Sequence, residues 1–203
     1  MKKLIGIHGK PRAGKDTLAH FFINFGYLRY GPGDPVKQAT AAMFNVDIDN
    51  LYQDDLKDTT DPFWQISYRE MMQKVGKESS RDVFGEDFWM RHIERKLQLL
   101  PDYVPGLILP DIRYANEIKW VRERGGIVIF ITRKNRTVIA DETHAAEQGL
   151  PEELADYTIK NDGTINELHN EAGILAVAHG LVDKDRLALY NQHRESTHDL
   201  VVK

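Results

Sequence analysis

Short apolar runs alternate along this chain with segments whose apolar residues recur three and four apart. The first pattern predicts buried strands and the second predicts amphipathic helices. Lys3-Leu4-Ile5-Gly6-Ile7-His8 reads as a buried strand, and Leu18 to Asn24 as the helix after it, stopped at Phe25-Gly26. Tyr27 to Tyr30 is a short second strand. Asp34 as N-cap and Pro35 at the first helical position open another helix. Phe63 to Val75 is helical and ended by Gly76; Glu86 to Leu100 carries Phe88, Trp89, Ile93 and Leu97 on one side. On such a stripe Trp89 is first of all a core residue. Gly106 to Asp111 is a buried strand, Tyr114 to Arg124 a helix, and Ile127 to Ile131 the most strand-like run present. Tyr157 to Ile159 is a short last strand, and Thr164 with Glu167 makes a capping box for a helix from Ile165 to His179.

Strands alternating with helices predict one α/β domain of three layers, a parallel five-stranded sheet with helices on both faces. That domain takes residues 1–180. Residues 34–100 form a helical insertion within it, a wall for a second substrate, and residues 181–203 a peripheral helix with a loose tail. Asn45 to Asp61 is rich in Asp and Asn and reads as a mobile acidic loop. A calcium loop does not fit there, since no glycine stands at the sharp turn and no closing Glu follows.

Composition changes this picture by exclusion. The 203 residues give a real core, and a net charge of −4 argues against a polymeric nucleic acid as main partner. With no cysteine there is no disulfide, thiolate zinc site or Cys nucleophile. No apolar run approaches the ~20 residues of a membrane span. Met1-Lys2-Lys3-Leu4 enters the first strand at once, so no signal peptide is expected. A soluble, cytoplasmic protein is the default.

The chemistry gathers at Gly9-Lys10-Pro11-Arg12-Ala13-Gly14-Lys15-Asp16-Thr17, between the first strand and the first helix. Strand, glycine loop, helix is the context of a phosphate-binding loop. Glycines let backbone N–H groups point inward, and the helix adds its own free N–H groups. Lys15 then sets an ammonium against the outer phosphates. The loop departs from the usual pattern in one place: Asp16 follows the lysine and Thr17 comes one position late. Asp16 is therefore placed toward Mg²⁺ through a water, with Thr17 on a phosphate. Asp111, at a strand end, should emerge near Lys15, with Arg113 two residues on; the alternative is an Asp–Arg pair capping the next helix. Lys37 in a helical first turn is aimed at an anion or is simply solvated. Residues 133–147 form a short lid, with Arg133 and Arg136 in reach of phosphates, or an ordinary charged surface loop. His144 has no second His at helical spacing, so zinc is not expected. Arg12, Arg69, Arg113, Arg133 and Arg136 come from several segments, as phosphoryl transfer requires.

Taken in order, the Gly9–Thr17 loop, Pro35-Val36-Lys37, Arg69-x-x-x-Gln73-x-x-Gly76, Phe88-Trp89, Pro110-Asp111-x-Arg113-x-x-x-Glu117, Thr143-His144, Gly149-Leu150-Pro151 and Asn161-Asp162-Gly163 resemble the phage-type deoxynucleoside monophosphate kinases. The resemblance runs from residue 3 to about residue 170. It implies the P-loop kinase fold and transfer of a phosphoryl group from ATP, with Mg²⁺, to a deoxynucleoside monophosphate. By position, Arg12, Ala13, Gly14, Lys15, Asp16 and Thr17 would hold ATP, with Asp16 and Thr17 on the metal side. Val36, Lys37, Arg69, Gly76, Trp89, Asp111, Arg113, Glu117 and Thr143 would surround the monophosphate. Lys15, Arg12, Arg69, Arg113 and Asp111 would carry the transfer. Trp89 would then be a base or sugar wall, and Glu117, one turn beyond Arg113, would act with it. The family often has a lysine directly before the loop arginine, where this chain has Pro11, and Lys57 is the only basic residue between Lys37 and Arg69. The resemblance implies the host cytoplasm if the chain is phage-encoded, and leaves a homodimer open. Two other readings stay open: a P-loop kinase of another small phosphorylated metabolite, of dephospho-coenzyme A or phosphomevalonate type, and a nucleotide-binding switch without transfer activity.

Overall fold

The structure is a computed structural model; it describes residues 2–134 and 150–201, with side chains through residue 194. Its frame is a five-stranded sheet in the order β2-β3-β1-β4-β5, every pairing parallel. The strands are β1 (Lys3–His8), β2 (Leu28–Arg29), β3 (Gly106–Leu109), β4 (Ile127–Thr132) and β5 (Tyr157–Lys160). β1 lies centrally, with Ile5 opposite Ile108 on one side and Ile127 on the other.

Alternation along the strands divides the core. Ile5 and Ile7 face α1 (Lys15–Ile23) and α8 (Ile165–Ala178), packing with Phe21, Phe22, Leu168 and Ala172. Leu4 faces the other way, with Met90 and Ile93 of α6 (Phe88–Gln98) and Ile118 and Val121 of α7 (Ala115–Glu123). These are the two helical layers that the sequence predicts. Between β2 and β3 stand α2 (Gly33–Phe44), α3 (Ile48–Tyr52), α4 (Tyr68–Gln73) and the short α5 (Asp82–Phe84), with a small core of Leu51, Tyr68 and Met71.

Several local expectations are corrected. α2 begins at Gly33, so Asp34 is not its cap. Asp34 is buried instead, and accepts from Gly31 N (2.7 Å), Tyr52 Oη (2.9 Å) and Arg29 Nη1 (3.2 Å). The acidic stretch before residue 61 is built, not loose: Asp47 caps α3, and Asp61 accepts from the N–H groups of Phe63 and Trp64. α4 starts only at Tyr68, capped by Ser67, and Gly76 does not end it. The chain continues as a π-helix from Lys74 to Arg81. Asp111 does not cap α7; Glu117 does that, in a capping box with Tyr114. The segment expected to end in a loose tail is one helix, α9 (Lys184–Val201), whose Tyr190 packs on Phe21 and Phe25 and meets His169 Nδ1 at 2.9 Å. Of the expected lid, Arg133 and Lys134 are described; Arg136, Asp141, Glu142, Thr143, His144 and Glu147 lie outside the described residues.

Candidate active site

The loop after β1 is wound by its glycines. Gly9 has φ 153° and Gly14 φ 104°, and a Cβ at either would overlap Ile131 O or the Asn161 amide respectively. Arg12 takes a left-handed φ of 60° without being glycine, a conformation that stores about 1 kcal/mol or more and clusters at ligand sites. Asn161, at the end of β5, holds the loop from behind by donating to Ala13 O at 2.9 Å. The Lys15 ammonium donates to Gly9 O (2.8 Å) and Lys10 O (2.9 Å), so it lies over the loop's own backbone, where phosphate oxygens would replace those carbonyls. α1 begins at Lys15, its N–H groups opening on the same space. Phosphate groups fit this cradle.

Asp16 is exposed and paired with Arg29 Nη2 at 3.2 Å. The same guanidinium reaches Asp34, so Arg29 ties the start of α1 to the start of α2. Thr17 sits beside Asp16 in the first turn of α1. His8, the last residue of β1, is fully buried against Phe130, and neither ring nitrogen has a hydrogen-bond partner. Burial, helped by Lys15, lowers its pKa to about 4.

Beside the loop lies a cavity. Val36, Lys37, Arg69, Gly76, Trp89, Asp111, Arg113 and Glu117 all line it. The chain thus brings eight of the nine acceptor-side residues into one space, from segments between Pro32 and Glu117; the ninth, Thr143, lies outside the described residues. Burial works against the Asp54 carboxylate, but Lys57, Arg12 and Arg69 hold its pKa below the ordinary range.

Several lining groups are fixed by partners. Arg69 grips Asp58 through Nε (2.6 Å) and Nη2 (3.2 Å). The Trp89 indole N–H donates to Gly76 O at 2.8 Å; the ring lines the cavity but is buried, packed against Phe88, as the core reading of its stripe expects. Asp111 Oδ2 accepts from Gly33 N at 2.8 Å, while Oδ1 is buried with no partner. Side chains at Gly31 or Gly33 would overlap that carboxylate, which accounts for the small residues there. Lys37 lies over the Tyr52 ring at 4.4 Å; burial lowers its pKa, against the pull of Asp111 and Asp34.

Two arrangements differ from the sequence reading. Glu117 does not pair with the Arg113 side chain. It is buried, accepts from the backbone N–H groups of Arg113 (2.8 Å) and Tyr114 (3.3 Å), and pairs with Arg81 Nη2 at 2.5 Å. Arg81, almost as buried, stacks over Tyr114 at 4.2 Å and donates to Glu86 O. Burial raises the Glu117 pKa while Arg81 pulls it down. Sequence reasoning missed Arg81, because its partner is 36 residues away and no local spacing announces a pair. It left Lys57 unassigned; Lys57 lines the cavity, held by Asp54 at 2.5 Å.

Comparison with known proteins agrees with this geometry. A family model described as deoxynucleotide monophosphate kinase matches residues 52–172. A protein of Acanthamoeba polyphaga mimivirus, provisionally named a deoxynucleotide monophosphate kinase, is 27% identical over 186 residues, covering 83% of this chain and 93% of that one. The deoxynucleotide monophosphate kinase of Enterobacteria phage T4 is 31% identical over 110 residues, 53% of this chain and 44% of its own. That of Escherichia phage RB69 is 26% identical over 165 residues, 79% of this chain and 58% of its own. The crystal structure of TT1252 from Thermus thermophilus superposes with a TM-score of 0.55 at 18% identity, covering 90% of this chain and 99% of that one, and shares the fold.

Proposed function

The chain belongs to the deoxynucleotide monophosphate kinase family, and from that premise we propose that it transfers the γ-phosphoryl group of ATP to the 5′-phosphate of a deoxynucleoside monophosphate. The observation that carries this reading is the cavity with Lys37, Arg69, Arg113 and Trp89 in its lining. Such a cavity suits an anion at one end and a flat ring at the other.

In this reading Gly9 to Thr17 takes the donor. The loop N–H groups and Lys15 hold its outer phosphates, and Lys15 exchanges two backbone carbonyls for phosphate oxygens as it does so. Asp16, on giving up its pair with Arg29, and Thr17 would stand on the side of Mg²⁺, which when bound would neutralise charge across the phosphates. Arg69 and Arg113 hold the acceptor phosphate, and Arg12 spans from the donor side. Together they spread positive charge around the transferring group, where it is needed in the transition state. Asp111, with one carboxylate oxygen unpartnered, sits at the end of β3 as an anchor for the acceptor. Trp89 presents its ring to base or sugar.

The test is Mg·ATP turnover against a panel of deoxy- and ribonucleoside monophosphates, read as ADP release. ADP release that depends on a deoxynucleoside monophosphate is expected. Tight ATP binding with no release on any monophosphate would turn the search to other phosphorylated acceptors.

A further inference from the structure

Resting on the reading above, we infer that Gln73 reads the edge of the acceptor's base. Gln73 is the last residue of α4, one turn beyond Arg69 and on the same face. It lines the cavity, as Arg69 does. Its neighbours there are committed elsewhere. Lys57 is held by Asp54, Lys77 by Asp82, and Arg81 by Glu117 and Glu86 O. Both Glu117 oxygens are taken, and the Trp89 N–H is spent on Gly76 O. Among the described residues the Gln73 carboxamide has no hydrogen-bond partner, and it is a neutral lining group with both a donor and an acceptor to offer.

That pairing of functions matches nucleobase edges. A carboxamide meets adjacent donor and acceptor atoms in a bidentate contact. Adenine and cytosine offer an amino donor beside a ring-nitrogen acceptor. Guanine and thymine offer a keto acceptor beside a ring N–H. A half-turn of the amide serves either set. The cations of the wall can only donate, and in the reading above they are engaged by phosphate or by carboxylates, so none of them can accept from a base amino group. Of the neutral polar side chains in the lining, Gln73 and Tyr114, the carboxamide alone sets a donor beside an acceptor in one plane, and the Tyr114 ring is covered by Arg81 at 4.2 Å.

Steady-state turnover of Gln73→Glu and Gln73→Leu tests this, with all four deoxynucleoside monophosphates and with 2-deoxyribose 5-phosphate, which has no base. A carboxylate only accepts, so it suits guanine's two adjacent N–H groups and opposes the thymine O4. Gln73→Glu is expected to raise the dGMP to dTMP ratio of kcat/KM by about tenfold or more. Gln73→Leu is expected to raise KM for the accepted bases by about tenfold, with KM for ATP and turnover of 2-deoxyribose 5-phosphate unchanged. An unchanged dGMP to dTMP ratio in Gln73→Glu, or an equal loss with every acceptor including the baseless one, makes Gln73 a packing residue and overturns the inference. Wild-type protein that phosphorylates no deoxynucleoside monophosphate removes the underlying reading and the inference with it, so the two failures are distinct.

Discussion

The glycine loop and the cavity, which the proposal gives to donor and acceptor, are specified in opposite ways. The loop is one unbroken run, Gly9 to Thr17, whose shape follows from two positive-φ glycines and a helix start. The cavity is drawn from segments between Pro32 and Glu117. Its shape follows from pairs: Arg69 with Asp58, Arg81 with Glu117, Trp89 with Gly76 O. The loop has its lysine turned onto its own backbone, whereas Lys57, Arg69, Lys77 and Arg81 of the cavity are each held by a carboxylate. A site built from local geometry is sensitive to spacing. A site built from distant pairs is sensitive to the loss of either partner, and its partners can vary only together.

Substitutions in each half separate the two. Lys15→Ala removes the fixed charge on the donor side and is expected to lower kcat by roughly a thousandfold or more with little change in thermal stability; near-normal kcat/KM would sink the donor assignment. Arg81→Met acts on the other half in the opposite currency. It leaves Glu117 buried with only backbone donors, and urea unfolding should show a loss of about 3 kcal/mol, with KM for ATP unaltered; a loss under about 1 kcal/mol would mean that the pair does not hold the wall.

His8 sharpens the boundary between the halves. Its folded-state pKa, about 4, lies below the ordinary 6.5. Between those values the unfolded chain binds a proton that the folded chain refuses. Stability is therefore full above pH 6.5 and falls as pH drops toward 4, by up to about 3 kcal/mol. His8→Leu should flatten that part of the stability profile; parallel profiles for the two proteins would show that His8 protonates freely when folded. The smallest effect belongs to Arg69→Ala. It should raise KM for the monophosphate by about tenfold, more than KM for ATP; the reverse order would move Arg69 to the donor side.

The sequence made the first half legible and much of the second. Apolar periodicity marked all five strands, since buried parallel strands are nearly unbroken apolar runs. The glycine spacing marked the loop. Asp111 and Arg113 were marked by a strand end and Lys37 by a helix start, but Val36, Gly76, Trp89 and Glu117 came to the acceptor side only through family resemblance, because they carry no local signal of convergence. What periodicity could not give was the run from Lys74 to Arg81. An α-helical count stops at Gly76, but Trp89 caps the Gly76 carbonyl and Arg81 is drawn to Glu117, so tertiary contacts carry the chain through as a π-helix. The same holds for Asp34. Its sequence position suits a cap, yet Arg29 and Tyr52 pull it inward as the hub of the α2 start.

The central place of β1 has a consequence for how the protein is made. β1 is synthesised first, but its neighbours are Gly106–Leu109 and Ile127–Thr132. At roughly 5–20 residues per second, on the order of ten seconds pass before both have left the ribosome. Until then the glycine loop has no strand to hang from, and Ile5 and Ile7 have no sheet to enter. Residues 33–84 meanwhile contain their own small core of Leu51, Tyr68 and Met71, built from contacts close in sequence. Nascent chains should thus order part of the cavity wall before the glycine loop, which takes its folded place only once β4 has emerged.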